Sequence, residues 1–154
     1  MIIIYHCFGG SHSSVLAAAL HLQMISKDRL PSLDELFGLP YFDKTCDEDF
    51  GRIRFMGVDE LGHQVYVVGR KSMGNRYSNI ITSVAGILGT DQKILAVDCM
   101  HPVNLSMKLG GFTSRRMGLV AVGRAVLARG TLNAFFELVR LVEVTRIKLI
   151  EMME

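Results

Sequence analysis

Cys7 closes a short apolar run, Ile2-Ile3-Ile4-Tyr5-His6, and heads the string Cys7-Phe8-Gly9-Gly10-Ser11-His12-Ser13-Ser14. A thiol at a strand end that faces the start of the next helix has a lowered pKa. As a thiolate it can attack phosphorus or react with an oxidant. Gly9 and Gly10 let the backbone curl tightly, so that successive N–H groups point inward. Ser11, Ser13 and Ser14 add short hydroxyl donors, and the helix adds its positive end. The set suits a phosphate or another tetrahedral oxyanion. His12 is the histidine placed to donate to such a group or to take a proton near neutral pH.

Asp98 lies near the end of a second apolar run, Lys93 to Met100, and is expected at the same sheet edge as Cys7. There it could hold a magnesium-bound water or orient a hydroxyl. Arg70, Lys71 and Arg76, around a glycine-containing loop before a helix, offer a second anion contact, and Arg115 and Arg116 a third. A metal reading draws on His6, Cys7, His12, Cys99 and His101. However, there is no C-x-x-C or H-x-x-x-H pair, and alternation along the strands keeps all five from facing one point. His21 and His63 read as structural. No metal ligands are assigned, and the residues single out no cofactor.

These groups are positioned by a strand, glycine turn and helix, a Rossmann-like opening. The first strand is all apolar, as expected at the centre of a parallel sheet. Leu16, Ala17, Leu20 and Met24 recur at helical spacing over Ser13 to Ile25, with Ser13 or Ser14 as the cap. Ser32 and Glu35 have capping-box spacing before a short turn that Gly38 and Pro40 stop. Arg52 to Val58 and His63 to Gly69 alternate as two strands of a hairpin. A helix is expected from about Tyr77 to Leu88, closed by Gly89, then a strand over Lys93 to Met100. A short helix over Pro102 to Leu109 and a strand over Leu119 to Gly123 follow. A long helix capped by Thr131 ends the chain near Met153. Its apolar positions exceed one stripe, so it is either sandwiched in the core or in contact with a second copy.

The expected fold is therefore α/β: one three-layer domain over residues 1–154, with a mixed, mostly parallel sheet, one β-hairpin and a long C-terminal helix. At 49% apolar residues, the 154-residue chain is not disordered. No apolar run approaches the roughly 20 residues that cross a bilayer, so no membrane is expected. The opening run lacks a basic flank and meets Gly9 too soon for a signal peptide, and three cysteines fit a reducing cytoplasm. Net charge is +2. It conceals nine acids against four bases over residues 28–60, and nine bases against two acids over 61–130. Aromatics do not interleave with those bases, so nucleic acid is not an expected partner. A small anion is.

The loop is not a Walker A motif, because no lysine lies between Met1 and Ser26. It resembles the C-x-G-x-x-x-R-S loop of low-molecular-weight tyrosine phosphatases and arsenate reductases, with Ser13 at the arginine position. No Asp-Pro pair is present to act as that family's general acid. It is more similar to the phosphocysteine loop of the B components of sugar phosphotransferase systems, C-x-x-G-x-[ST]-[ST]-[ST], through Cys7, Gly10, Ser13 and Ser14, with His12 where a hydroxyl residue is usual. Three segments extend the comparison: Tyr5 to Ser14, Leu39-Pro40-Tyr41-Phe42-Asp43-Lys44-Thr45, and Phe55 to His63. On these the whole chain resembles a "domain of unknown function" family of spore-forming bacteria, which implies no activity.

Three functions fit. The first is a cytoplasmic protein binding a phosphate-bearing small molecule at residues 7–14. In it Cys7 is nucleophile or phosphate carrier, and Gly9, Gly10, Ser11, Ser13 and Ser14 form the cradle. Arg76 and Arg115 are further ligand contacts, and Asp98 and His12 are helpers. The second is a non-catalytic, homo-oligomeric regulatory protein that uses the same loop as a sensor. The third is a divalent-metal site at the same strand ends. The sequence does not choose between enzyme and sensor.

Overall fold

The structure is a computed structural model that describes residues 1–74, 76–90, 92–100 and 120–153, with side chains described only outside 101–131. In chain order the elements are β1 (Ile2–Cys7), α1 (Ser13–His21), α2 (Leu33–Gly38), a 3-10 turn (Asp47–Asp49), β2 (Arg54–Val58), β3 (Gln64–Gly69), α3 (Arg76–Ile87), β4 (Ile94–Asp98) and α4 (Val120–Met153). The sheet order is β2-β3-β1-β4. β1 runs parallel to β3 and to β4, and β2 is antiparallel to β3.

β1 is paired on both edges and covered on both faces, which is why it tolerates three isoleucines in succession. Ile3, Tyr5 and Cys7 join one core with α1 and with Phe135, Leu138, Val142 and Leu149 of α4. Ile4 joins a smaller core with Val68 of β3 and Tyr77 of α3, against which Ile81 packs. Helices therefore cover both sheet faces in three layers. The chain places β3 on one side of β1 and β4 on the other. The carboxyl end of β1 is thus the point where strand order reverses, the usual ligand crevice of open α/β sheets.

The capping box is present: Ser32 Oγ accepts from Glu35 N–H, and the Glu35 carboxylate accepts from Ser32 N–H. The hairpin also forms, with a register shift between Phe55 and Gly57. Several expectations need correction. The stretch from Val120 to Gly123, expected as a strand, opens α4, so Thr131 lies inside that helix rather than at its start. A short apolar run cannot be assigned to strand or helix by periodicity, and here the helix wins. α1 ends at His21, and its N-cap is His12 rather than a serine. α3 begins at Arg76. The helix expected over Pro102 to Leu109 lies outside the described residues. α4 buries one face and leaves Phe136, Val144, Ile147 and Ile150 exposed. Among the described residues, no helix is long and apolar enough to cross a membrane.

Candidate functional site

The loop between β1 and α1 closes around the sulfur of Cys7. Gly10 N–H donates to Cys7 Sγ at 3.1 Å, and Ser14 Oγ lies 3.1 Å from the same atom. Cys7 is only 4% exposed, and Ser11, Ser13 and Ser14 are buried with it. Burial pushes the thiol up, but bonds from the Ser14 hydroxyl and amide, the Ser13 hydroxyl and the Gly10 amide outweigh it and hold the thiol below its ordinary value. The helix behind these donors has no side-chain cap. Its partial positive charge adds to theirs at the sulfur.

Gly10 sits at φ +66°, and a Cβ built there would lie 2.3 Å from the backbone nitrogen of Gly69. A Cβ on Gly69 would in turn meet the Gly9 carbonyl at 2.7 Å. The two glycines let the loop and the end of β3 touch backbone to backbone. This is the physical demand that the sequence leaves unstated, since the partner lies 59 positions away.

Two buried polar atoms lie on or beside the loop. Ser11 Oγ and Arg54 Nε are buried and have no hydrogen-bond partner among the described residues. Arg54, at the start of β2, is a residue that sequence reasoning missed. Its Nη2 donates to the Gly10 carbonyl at 2.6 Å and to Thr45 Oγ1 at 2.8 Å, and its guanidinium stacks over the Tyr41 ring at 4.6 Å. The only hint in the sequence was its place in β2 on the face it shares with Met56. Four non-glycine residues have positive φ among the described residues: Gln23, Tyr41, Asp43 and Lys71. Three of them adjoin this region. Tyr41 lies under Arg54, Asp43 N–H donates to the Ser11 carbonyl, and Lys71 N–H donates to the Phe8 carbonyl. Such strain costs about 1–3 kcal/mol per residue and tends to gather at functional sites.

The other expected residues go elsewhere. His12 turns to Asp43, with Nε2 3.2 Å from Oδ1, and packs its ring edge-on against Phe42. Asp98 pairs with Arg70, whose Nη2 donates to Oδ2 at 2.8 Å, and Arg70 Nε donates to His6 Nδ1 at 2.9 Å. An arginine N–H only donates, so the His6 ring carries its proton on Nε2, 3.4 Å from Ser78 Oγ. Burial, with help from Arg70 and against Asp98, lowers the His6 pKa to about 4. This cluster occupies the α3 face, whereas Cys7 faces α1. Arg70 is therefore turned inward, and only Lys71 and Arg76 of that basic loop remain exposed. Arg115 and His101 lie outside the described residues. Among the described residues, no group of three histidines, cysteines or carboxylates is arranged to hold a metal.

A second buried network sits at the opposite sheet edge. Asp59 Oδ2 accepts from His21 Nε2 at 3.0 Å and from His63 Nδ1 at 2.9 Å, while Tyr5 O–H reaches His21 Nδ1 at 2.8 Å. Burial opposes ionisation of Asp59, yet bonds from His21 and His63 bring its carboxyl down to about 2. The histidines expected to be structural are accounted for here.

A family model described as "Protein of unknown function (DUF3189)" matches residues 2–147. No curated protein and no solved structure matches the chain.

Proposed function

We propose that this chain, which belongs to the DUF3189 family of unknown function, binds a phosphate-bearing small molecule or another oxyanion at the β1–α1 loop, with Cys7 as a thiolate nucleophile or phosphate carrier. The observation that carries the reading is the convergence of the Gly10 amide and the Ser14 hydroxyl on Cys7 Sγ, in front of the uncapped start of α1. Donors so arranged stabilise a sulfur anion, and they stabilise a tetrahedral oxyanion that comes to it. The unpartnered Ser11 hydroxyl and Arg54 Nε supply further donors beside the same loop.

The surroundings favour a carrier or sensor over a phosphoester hydrolase. Hydrolysis needs a proton donor for the leaving group. His12 and Asp98, the expected helpers, are held by Asp43 and Arg70 respectively. Ser13 stands where the phosphatases place their arginine, and Arg54 approaches the Gly10 carbonyl from outside the loop.

A thermal-shift panel of phosphate, vanadate and nucleotides, with and without magnesium, tests the reading. A ligand at about 100 times its Kd adds about 2.7 kcal/mol. In a domain of this size that raises Tm by roughly 5–10 °C. At least one anion is expected to do so in the wild type and to do less in Cys7→Ser. A midpoint that no anion moves would end the proposal.

A further inference from the structure

We propose that Cys7 and Cys99 are a redox pair that closes reversibly into a disulfide and so switches the loop off. The register places them side by side. β1 and β4 pair in parallel with Ile3 opposite Leu95, Tyr5 opposite Val97 and His6 opposite Asp98. The ladder runs one step further, because Cys99 N–H donates to the His6 carbonyl at 2.9 Å. Cys7 and Cys99 are therefore the next opposed pair. Both belong to the core on the α1 face, each following an alternating series (Ile3, Tyr5, Cys7 and Leu95, Val97, Cys99). Neighbouring strands lie about 4.8 Å apart. That separation falls inside the roughly 4.4–6.8 Å range of Cα distances that a disulfide spans.

The two thiols are also unlike. Cys7 is held toward the thiolate by the loop, whereas burial and then the charge of Cys7 push Cys99 well above its ordinary value. Cys99 keeps its proton and directs it to the Val97 carbonyl. An attacking thiolate beside a protonated partner thiol is the arrangement of a nucleophilic and a resolving cysteine.

The oxidant is a hydroperoxide. Cys7 sulfur attacks the peroxide, an S–O bond forms, the O–O bond breaks, and the departing oxygen takes a proton. Cys99 sulfur then attacks Cys7 sulfur, the S–S bond forms, and the hydroxyl leaves with the Cys99 proton as water. Two thiols lose two electrons and the peroxide gains them. The product has no thiolate to attack phosphorus or carry a phosphoryl group.

Titration of the full chain with hydrogen peroxide, followed by peptide mapping without reductant, tests this. A Cys46→Ser background removes the exposed third thiol. The expected main product is a Cys7–Cys99 linked peptide that dithiothreitol reverses, and Cys99→Ala is expected to divert Cys7 to its sulfinic acid. Conversion of Cys7 to sulfinic acid in the parent chain, with Cys99 still a free thiol, would overturn the proposal without needing any Cys99 variant. Formation of the disulfide does not require anion binding, whereas its role as an off-switch rests on the proposed function. A disulfide without any anion-induced Tm shift would remove the binding reading and the switching role and leave the redox pair. A Tm shift without the disulfide would remove only this one.

Discussion

Gly10→Ala is expected to lower stability by about 2–5 kcal/mol, a large share of the roughly 5–15 kcal/mol that holds a domain together. Two costs add. An L side chain at φ +66° is strained by about 1–2 kcal/mol. The new Cβ would also lie 2.3 Å from Gly69 N and 2.7 Å from the Val68 carbonyl carbon. Both are backbone atoms, so no rotamer relieves the overlap, and overpacking of this kind costs about 1–3 kcal/mol or more. Gly62→Ala separates the two costs. It shares the positive φ, at +80°, but has open space around it, so only the strain of about 1–2 kcal/mol is expected. Gly69→Ala brings the overlap without a positive φ and is expected to fall between them. Because the Gly10 and Gly69 changes fill one gap, their effects are not expected to add. Denaturant melts of the three variants check this. A Gly10→Ala loss no larger than that of Gly62→Ala would mean that the loop does not rest on β3 as described.

The second large effect is on pH dependence. His6 is lowered to about 4 in the folded protein, from an ordinary 6.5. Between these values the unfolded chain binds a proton that the folded chain does not, so stability rises with pH across that window. The contribution is complete above pH 6.5 and is lost as the pH falls towards 4. At about 1.4 kcal/mol per unit, it amounts to roughly 3 kcal/mol. Its main origin is burial of the ring, opposed by Asp98 and reinforced by Arg70, whose Nε–H already occupies the Nδ1 that would take the proton. His6→Gln keeps an acceptor for Arg70 and removes the titration, so its stability between pH 6.5 and 4 should fall less steeply. His21, also lowered by burial, keeps part of the slope in both proteins. Equal slopes would contradict the assignment.

These effects arise from contacts between distant residues, and that is where the sequence was least legible. The strand, turn and helix at the start, the hairpin and the capping box at Ser32 each depend on neighbours within a few positions, and each could be read. The pairing of Gly10 with Gly69 could not. Gly10 reads equally well as a cradle for a ligand and as a seat for a strand. Ser13 and Ser14 were legible as hydroxyl donors at the helix start, but not in their job, because Ser14 bonds the thiol rather than the backbone. Arg54 was missed because an arginine at a strand start normally faces water, and here Thr45, Tyr41 and the Gly10 carbonyl receive it. Asp98 was placed at the correct sheet edge, but its partner Arg70 was read as a contact for an anion rather than for that carboxylate. The start of α4 was misread because Leu119-Val120-Ala121-Val122 has the composition of a buried strand.

Oxyanion binding at the β1–α1 loop is read out by titrating inorganic phosphate into the isotopically labelled protein and following the backbone amide resonances. Saturable shifts are expected to concentrate at Gly9, Gly10, Ser11, Ser13 and Ser14, and to weaken in Cys7→Ser. Shifts confined to the exposed bases Lys71 and Arg76, or none at all at phosphate concentrations of tens of millimolar, would contradict it.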